Sequence, residues 1–231
     1  MYIHKRESQP ATADQVFKQI LRRIIKLKLE PGQLISENQM AKEYGVSRTV
    51  IRTVFARLQQ LGFLEIYPQR GTYISLIDLH HIEDLLVLRT AVEKEVIYEM
   101  FTSLGPMEKN TLVQRLEENL EEQEKCRAEI DYSGRFPRID SAFHKIMIDS
   151  VGRYQLVDML GDLMYHVARW RNFDVAFDKR IPELIVQHRD IVEAIKAEDL
   201  SLAQQKMADH LETITSISDR AVAQYPTYFR V

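Results

Sequence analysis

This 231-residue chain contains a single cysteine, Cys126, so no intramolecular disulfide staples it, and a reducing compartment suits it. Set between Lys125 and Arg127, that thiol reads as a spectator rather than a redox switch. No apolar run approaches the ~20 residues a membrane helix needs, and the first residues carry no signal-peptide core. The expectation is a cytoplasmic protein with no membrane partner. Internal repeats and low-complexity segments are also missing. So are a His-Glu-x-x-His element and the paired Glu-x-x-His helices of a di-iron bundle, which argues against a metal-dependent enzyme.

The length suffices for two modest cores, and the charge is divided unevenly between them. Residues 1–76 carry 12 Lys+Arg against 6 Asp+Glu, whereas the remainder carries 19 against 28. A basic head on an acidic body suits a nucleic-acid reader with a separate sensing domain. The whole-chain charge of −3 hides this.

The most informative stretch runs from Leu34 to Ile74. Ser36 and Gln39 form a Ser-x-x-Gln capping box, which starts a helix by satisfying orphan N–H groups. That helix continues to Tyr44, and Gly45 ends it. After the apolar turn residue Val46, Ser47 caps a second helix. Its Val50, Ile51, Val54, Phe55, Leu58 and Leu61 make a buried stripe. Arg48, Thr49 and Arg52 fall on the opposite face, at the end of a recognition helix that reaches bases and phosphates in the major groove. Beyond Gly62, residues 64–67 and 72–74 read as strands around Pro68-Gln69-Arg70-Gly71. An Arg-Gly tip suits a phosphate backbone or a narrow minor groove. Val16, Ile20, Ile24 and Leu27 mark an earlier helix, ended by Pro31-Gly32. Residues 1–76 are therefore expected to form a winged helix-turn-helix, three helices plus a β-hairpin, that binds double-stranded DNA.

The runs Leu34-Ile35-Ser36-Glu37, Met40-Ala41 and Gly45-Val46-Ser47-Arg48-Thr49-Val50-Ile51-Arg52, with the wing Gln69-Arg70-Gly71-Thr72-Tyr73, resemble the signature of the GntR family of bacterial transcription regulators. Val50 stands where that pattern usually has proline, and Asn38 where it often has arginine. The resemblance implies DNA contacts from Arg48, Thr49, Arg52 and Arg70, joined by Ser47, Gln69 and Gly71.

After Ile74 the strand signals vanish. Helical patterns follow at about 79–103, 107–128, 136–151, 154–173, 180–197 and 200–224, with breaks at Leu104-Gly105-Pro106, near Ser133-Gly134 and Pro137, at Val151-Gly152 and at Glu198-Asp199. Residues 77–231 read as one all-α bundle, joined to the head by a link near Leu76-Ile77-Asp78. The fold class is mainly α.

Four residues do not belong on the apolar stripes that hold them. His210 lies among Ala203, Met207, Leu211, Ile214 and Ile217, and His188 among Leu184, Ile185, Ile191, Val192 and Ile195. The two histidines lie 11 residues on either side of Asp199, so an antiparallel hairpin brings both imidazoles to a similar height. Asp140 and His144, four residues apart, share one helical face beside Phe143 and Met147. Each histidine alone is explained as a core residue hydrogen-bonded to a neighbour. Three imidazoles and a carboxylate together suit a divalent metal, zinc first, with nickel or manganese next.

Residues 79–224 resemble the FCD-type ligand-binding domain that many GntR heads carry. Its metal pattern matches at Asp140, His144, His188 and His210, with Ile191, Ala194-Ile195, Asp199, Ala203 and Met207 between. Leu88-Arg89 and Val92-Glu93 resemble the segment whose arginine faces the effector. From its position among Leu85, Val92 and Val96, Arg89 is either a surface ion pair with Glu93 or a buried fork for a ligand carboxylate. Arg171, on the helix with Arg169 and Trp170, is a further effector candidate, while Trp170 reads as core.

The resemblance implies a homodimer on a near-palindromic operator. The resulting expectation is a repressor whose DNA affinity a small organic acid controls from beside the metal. A direct metal sensor, a constitutive DNA binder with a structural metal, and a hydrolase that uses the site to activate water are the competing readings.

Overall fold

The computed structural model describes residues 11–129, 134–213 and 218–230, with the backbone alone for 174–178. It is mainly α and divides into two compact units, Met1–Leu76 and Ile77–Val231.

In the first unit α1 (Ala13–Ile25) opens on a reciprocal Thr12–Gln15 capping box. It buries Val16, Phe17, Ile20, Leu21 and Ile24 against α3 (Arg48–Gln60), which contributes Ile51, Val54, Phe55 and Leu58. The helix stops at Ile25. Leu27 takes left-handed backbone (φ 54°) and lies past the end rather than on the stripe. Between these helices α2 (Glu37–Tyr44) begins where Ser36 Oγ accepts from the Gln39 N–H (3.1 Å) and ends at Gly45, whose φ of 65° admits the sharp turn into α3.

The wing is a three-stranded antiparallel sheet rather than a bare hairpin. β1 (Leu34–Ile35) and β2 (Leu64–Tyr67) flank β3 (Gly71–Ile74). A two-residue strand such as β1 has no alternation to read. At the tip Arg70 N donates to Tyr67 O (3.1 Å), and Gln69 carries the positive φ (63°) that this turn demands after Pro68. Gly71 (φ 121°) has a second reason to be glycine, because a Cβ there would meet Leu34 Cδ1 at 2.6 Å.

In the second unit β4 (Ile77–Asp78) leads, among the described residues, into the α-helices α4 (Leu79–Ser103), α5 (Pro106–Glu124), α6 (Phe136–Ser150), α7 (Tyr154–Asp178), α8 (Ile181–Lys196), α9 (Leu200–Glu212) and α10 (Ser218–Gln224). Asp78 caps α4 by accepting from the His81 N–H, and Asp199 caps α9 by accepting from the Leu202 N–H. Pro106 stands in the first turn of α5 and Pro182 in that of α8, where no N–H is missed. α7 runs five residues beyond its expected end. No glycine or proline stops it before Lys179, which takes left-handed backbone (φ 53°). Of the helix expected over 200–224, α9 and α10 are described, while Ile214, Ile217 and the Ser133 break lie outside the described residues.

Two short strands were not anticipated. β4 pairs in parallel with β5 (Phe229–Arg230), Ile77 opposite Phe229. Phe229 is buried against Trp170 and Phe173 of α7. Trp170 is core, as read from the sequence. Cys126 is buried among Phe136, Ile181, Leu184 and Ile185, and burial pushes its thiol pKa up.

Candidate metal centre and nucleic-acid interface

α8 and α9 turn over at Glu198 and pack on one another, and α6 lies near both through its ligand face. Asp140, His144, His188 and His210 are all buried, and one ligand atom from each falls within 4.8 Å of every other. His188 Nε2 stands 3.2 Å from His210 Nε2 and 3.6 Å from Asp140 Oδ1. Donors about 2.0–2.1 Å from one zinc ion sit roughly 3 Å apart, so the spacing fits a shared cation.

The partners of the far ring nitrogens decide what the near ones carry. His144 Nδ1 faces a Glu93 carboxylate oxygen (2.5 Å), His188 Nδ1 faces Gln123 Oε1 (2.8 Å) and His210 Nδ1 faces Gln187 Oε1 (2.9 Å). Each of these oxygens accepts, so each Nδ1 donates and each Nε2 presents a lone pair. Two lone pairs 3.2 Å apart repel unless a cation lies between them. A proton is a poor candidate: burial, helped by the neighbours His144, Arg171 and Arg89 and opposed by Asp140, holds the His188 pKa down at about 3. His210 is also held well below the usual range, first by burial and then by its neighbours His188 and Arg171. His144 Nε2 is buried with no hydrogen-bond partner among the described residues. A divalent metal could be held by all three nitrogens and the Asp140 carboxylate together.

Glu93 belongs to this arrangement and was missed from the sequence, where it looked like the partner of a surface pair. Burial alone would raise its pKa. His144 and Arg89 beside it outweigh that and hold it at about 2. Arg89, itself half-buried, donates to it from Nε at 2.6 Å, so the pair is not a surface one. Gln123 and Gln187 were missed as well. The signal was present for Gln123, which sits at the next helical position of the Leu112, Leu116, Leu120 stripe.

A cavity of about 200 Å³ opens against this centre. Asp140, His144, Glu93 and Arg89 line it, together with Leu160, Met164, Val167 and Arg171 of α7. Arg169 is buried but does not line it. The two guanidiniums and two carboxylates balance, and Lys145, also on the lining, is paired with Asp149, so a divalent ion would leave the cavity strongly positive. The volume falls below the roughly 300 Å³ where drug-sized pockets begin, which suits a small anion.

In the first unit, Arg48, Thr49 and Arg52 lie exposed on the first turns of α3. Ser47 Oγ is engaged as the N-cap, accepting from the Val50 N–H at 3.3 Å. Both arginines share the Glu37 carboxylate, Arg48 at 3.3 Å and Arg52 at 2.9 Å, a contact that the sequence reading did not anticipate. Such exposed pairs contribute only about 0–1 kcal/mol, so they aim the guanidiniums without tying them down. Gln69 and Arg70 are exposed at the wing tip, whereas Gly71 is half-buried at the start of β3.

Comparison with known proteins agrees with this division. Residues 12–74 match the bacterial regulatory proteins of the gntR family, and residues 84–213 match the FCD domain. A transcriptional regulator in an unstable DNA locus of Streptomyces ambofaciens is 28% identical over 93% of this chain and 88% of its own. The transcriptional repressor RspR of Escherichia coli K12 is 27% identical over 90% and 89%. A crystal structure of a GntR regulator from Rhodococcus sp. RHA1 superposes with a TM-score of 0.69 at 21% identity, covering 90% of this chain and 97% of that one. Family and relatives are regulators rather than enzymes, which removes the hydrolase reading. With its winged head and its helical body each matched, the chain belongs to the GntR family of bacterial transcriptional regulators and carries an FCD domain.

Proposed function

We propose that this regulator is a repressor that binds a near-palindromic operator as a homodimer and releases it when a small organic acid binds beside a divalent metal. The observation that carries the reading is the shared cavity. Asp140 and His144, half of the metal group, line the same 200 Å³ space as Arg89 and Arg171. Zinc, or nickel or manganese in its place, would be held by those two residues with His188 and His210, and a metal that accepts more than four ligands would take a further donor from the cavity. A carboxylate or hydroxyl of the acid would supply that donor, with Arg89 and Arg171 placed to take its far end. On the operator, Arg48, Thr49 and Arg52 read the major groove, Arg70 and Gln69 reach the backbone from the wing, and Ser47 and Gly71 hold the backbone that presents them.

The test is a thermal-shift screen of metal-loaded and chelator-stripped protein against mono-, di- and tricarboxylates, followed by operator binding. A ligand of the folded state raises the melting temperature by mass action. The expected result is a shift by one acid, seen only with metal present, and weaker operator binding at the same concentration. Operator affinity that no acid alters would remove the sensing role. The complete burial of His188 and His210 favours, as a second reading, a metal kept for stability. That reading predicts unfolding on chelation and no response to any acid.

A further inference from the structure

We infer that Asn119 and Gln123, on a helix that supplies no metal ligand, are positioning residues that fix the tautomer of His188. The inference rests on the metal reading above. Asn119 Nδ2 donates to the backbone carbonyl of Ile139 at 3.1 Å. Gln123 Nε2 donates to Asn119 Oδ1 at 2.7 Å, and Gln123 Oε1 faces His188 Nδ1 at 2.8 Å. A backbone carbonyl can only accept, so it sets the direction of the whole series. Asn119 must turn its NH₂ to Ile139 and its oxygen to Gln123. Gln123 must then turn its own NH₂ to Asn119 and its oxygen to His188. The imidazole is left with the proton on Nδ1 and a lone pair on Nε2, the atom 3.2 Å from His210 Nε2 and 3.6 Å from Asp140.

Were the Gln123 amide reversed, its NH₂ would face Nδ1, the proton would move to Nε2 and the donor would be lost. The series starts at Ile139, the residue before the ligand Asp140, and crosses α5 to reach the ligand on α8. It therefore ties together two ligand-bearing helices. Burial makes the polarity rigid: Gln123 is wholly buried, and a reversed amide would leave polar atoms unsatisfied where water does not reach. Phe143 stacks on the His188 ring with centroids 4.2 Å apart, so packing holds the plane while the amides choose the tautomer.

The full-length protein is titrated with Co(II), read by its visible bands, and with Zn(II) against a chromophoric chelator. Gln123→Met, Gln123→Glu and Asn119→Ala are compared with wild type. Long-range proton–nitrogen spectra of the metal-free proteins read the His188 tautomer directly. Losses of this kind weaken metal binding by about 10–100-fold, and that is expected of Gln123→Met. Gln123→Glu keeps the acceptor and restores most of the affinity. Asn119→Ala, at a half-buried position, shifts His188 toward mixed tautomers with a smaller loss, and it carries the test should Gln123→Met not fold. Wild-type affinity and a pure Nδ1–H tautomer in the folded variants would overturn the positioning role and leave the metal reading standing. Failure of wild type itself to take up Co(II) or Zn(II) would overturn both.

Discussion

The two units place their charged side chains under opposite conditions. Arg48 and Arg52 are more than half exposed, share one carboxylate and can leave it at little cost. His188 and His210 are wholly buried, and each has its outer nitrogen held by one amide oxygen. The difference follows from the partner. A nucleic acid arrives with its own charges and water, so its reader needs mobile donors on an exposed face. A small cation must exchange much of its hydration shell for protein donors, so its site gains from donors aligned before it arrives. One chain solves both problems by confining each to its own unit.

The largest effect that separates the units is expected from His188→Ala. The full-length variant should purify without stoichiometric metal by elemental analysis, while it keeps the DNA affinity of chelator-stripped wild type. Retention of full metal content would break the assignment of His188. Next in size, Arg52→Ala should cost about 1–3 kcal/mol in operator binding and relax specificity at one base pair, with metal content untouched. Equal affinities for operator and scrambled DNA, before and after the change, would show that Arg52 reads no base.

Acid sharpens the contrast. His188 is held at about 3 in the folded metal-free chain against about 6.5 in a free side chain. Above 6.5 it is neutral in both states and contributes no pH dependence. As pH falls from 6.5 toward 3 the unfolded chain takes up a proton that the folded one refuses. Stability of the chelator-stripped protein should therefore drop by about 1.4 kcal/mol per pH unit for each such histidine. Denaturant titrations at several pH values measure it, and a flat profile between pH 6.5 and 5 would contradict the burial. The smallest effect concerns Gly161, in the middle of α7 on the cavity wall, where an added Cβ meets nothing within 4 Å. Gly161→Ala should stabilise the helix by roughly 0.5–1 kcal/mol, and Gly161→Leu should abolish the acid-induced thermal shift while metal still binds. An undiminished shift in the leucine variant would place the acid elsewhere.

How much of this was legible before the structure depends on the range of the interaction. The capped helices, the Gly45 turn and the apolar stripes come from neighbours within four residues, and spacing alone exposed the Asp140–His144 pair and the His188–His210 symmetry. The orienting partners were hidden because they come from other helices. Glu93 reaches His144 across 51 residues and Gln123 reaches His188 across 65. Nothing in the local pattern of α4 or α5 reports where those faces dock. Glu37 went unnoticed for a related reason: its contact with Arg52 spans 15 residues and depends on the angle between α2 and α3. The β4–β5 pair has too few residues for any periodicity to register.

That pair also has a consequence for the making of the protein. Its two partners, Ile77 and Phe229, are separated by nearly the whole length of the second unit. The winged unit closes its strand pairs within its own residues, Leu34 opposite Tyr73, and can fold as soon as its last strand leaves the ribosome. The helical unit cannot complete the strand against Ile77 until Phe229 has been synthesised. A nascent chain stalled in α8 would therefore carry a finished reading head on an unfinished body, with β4 still waiting for its neighbour.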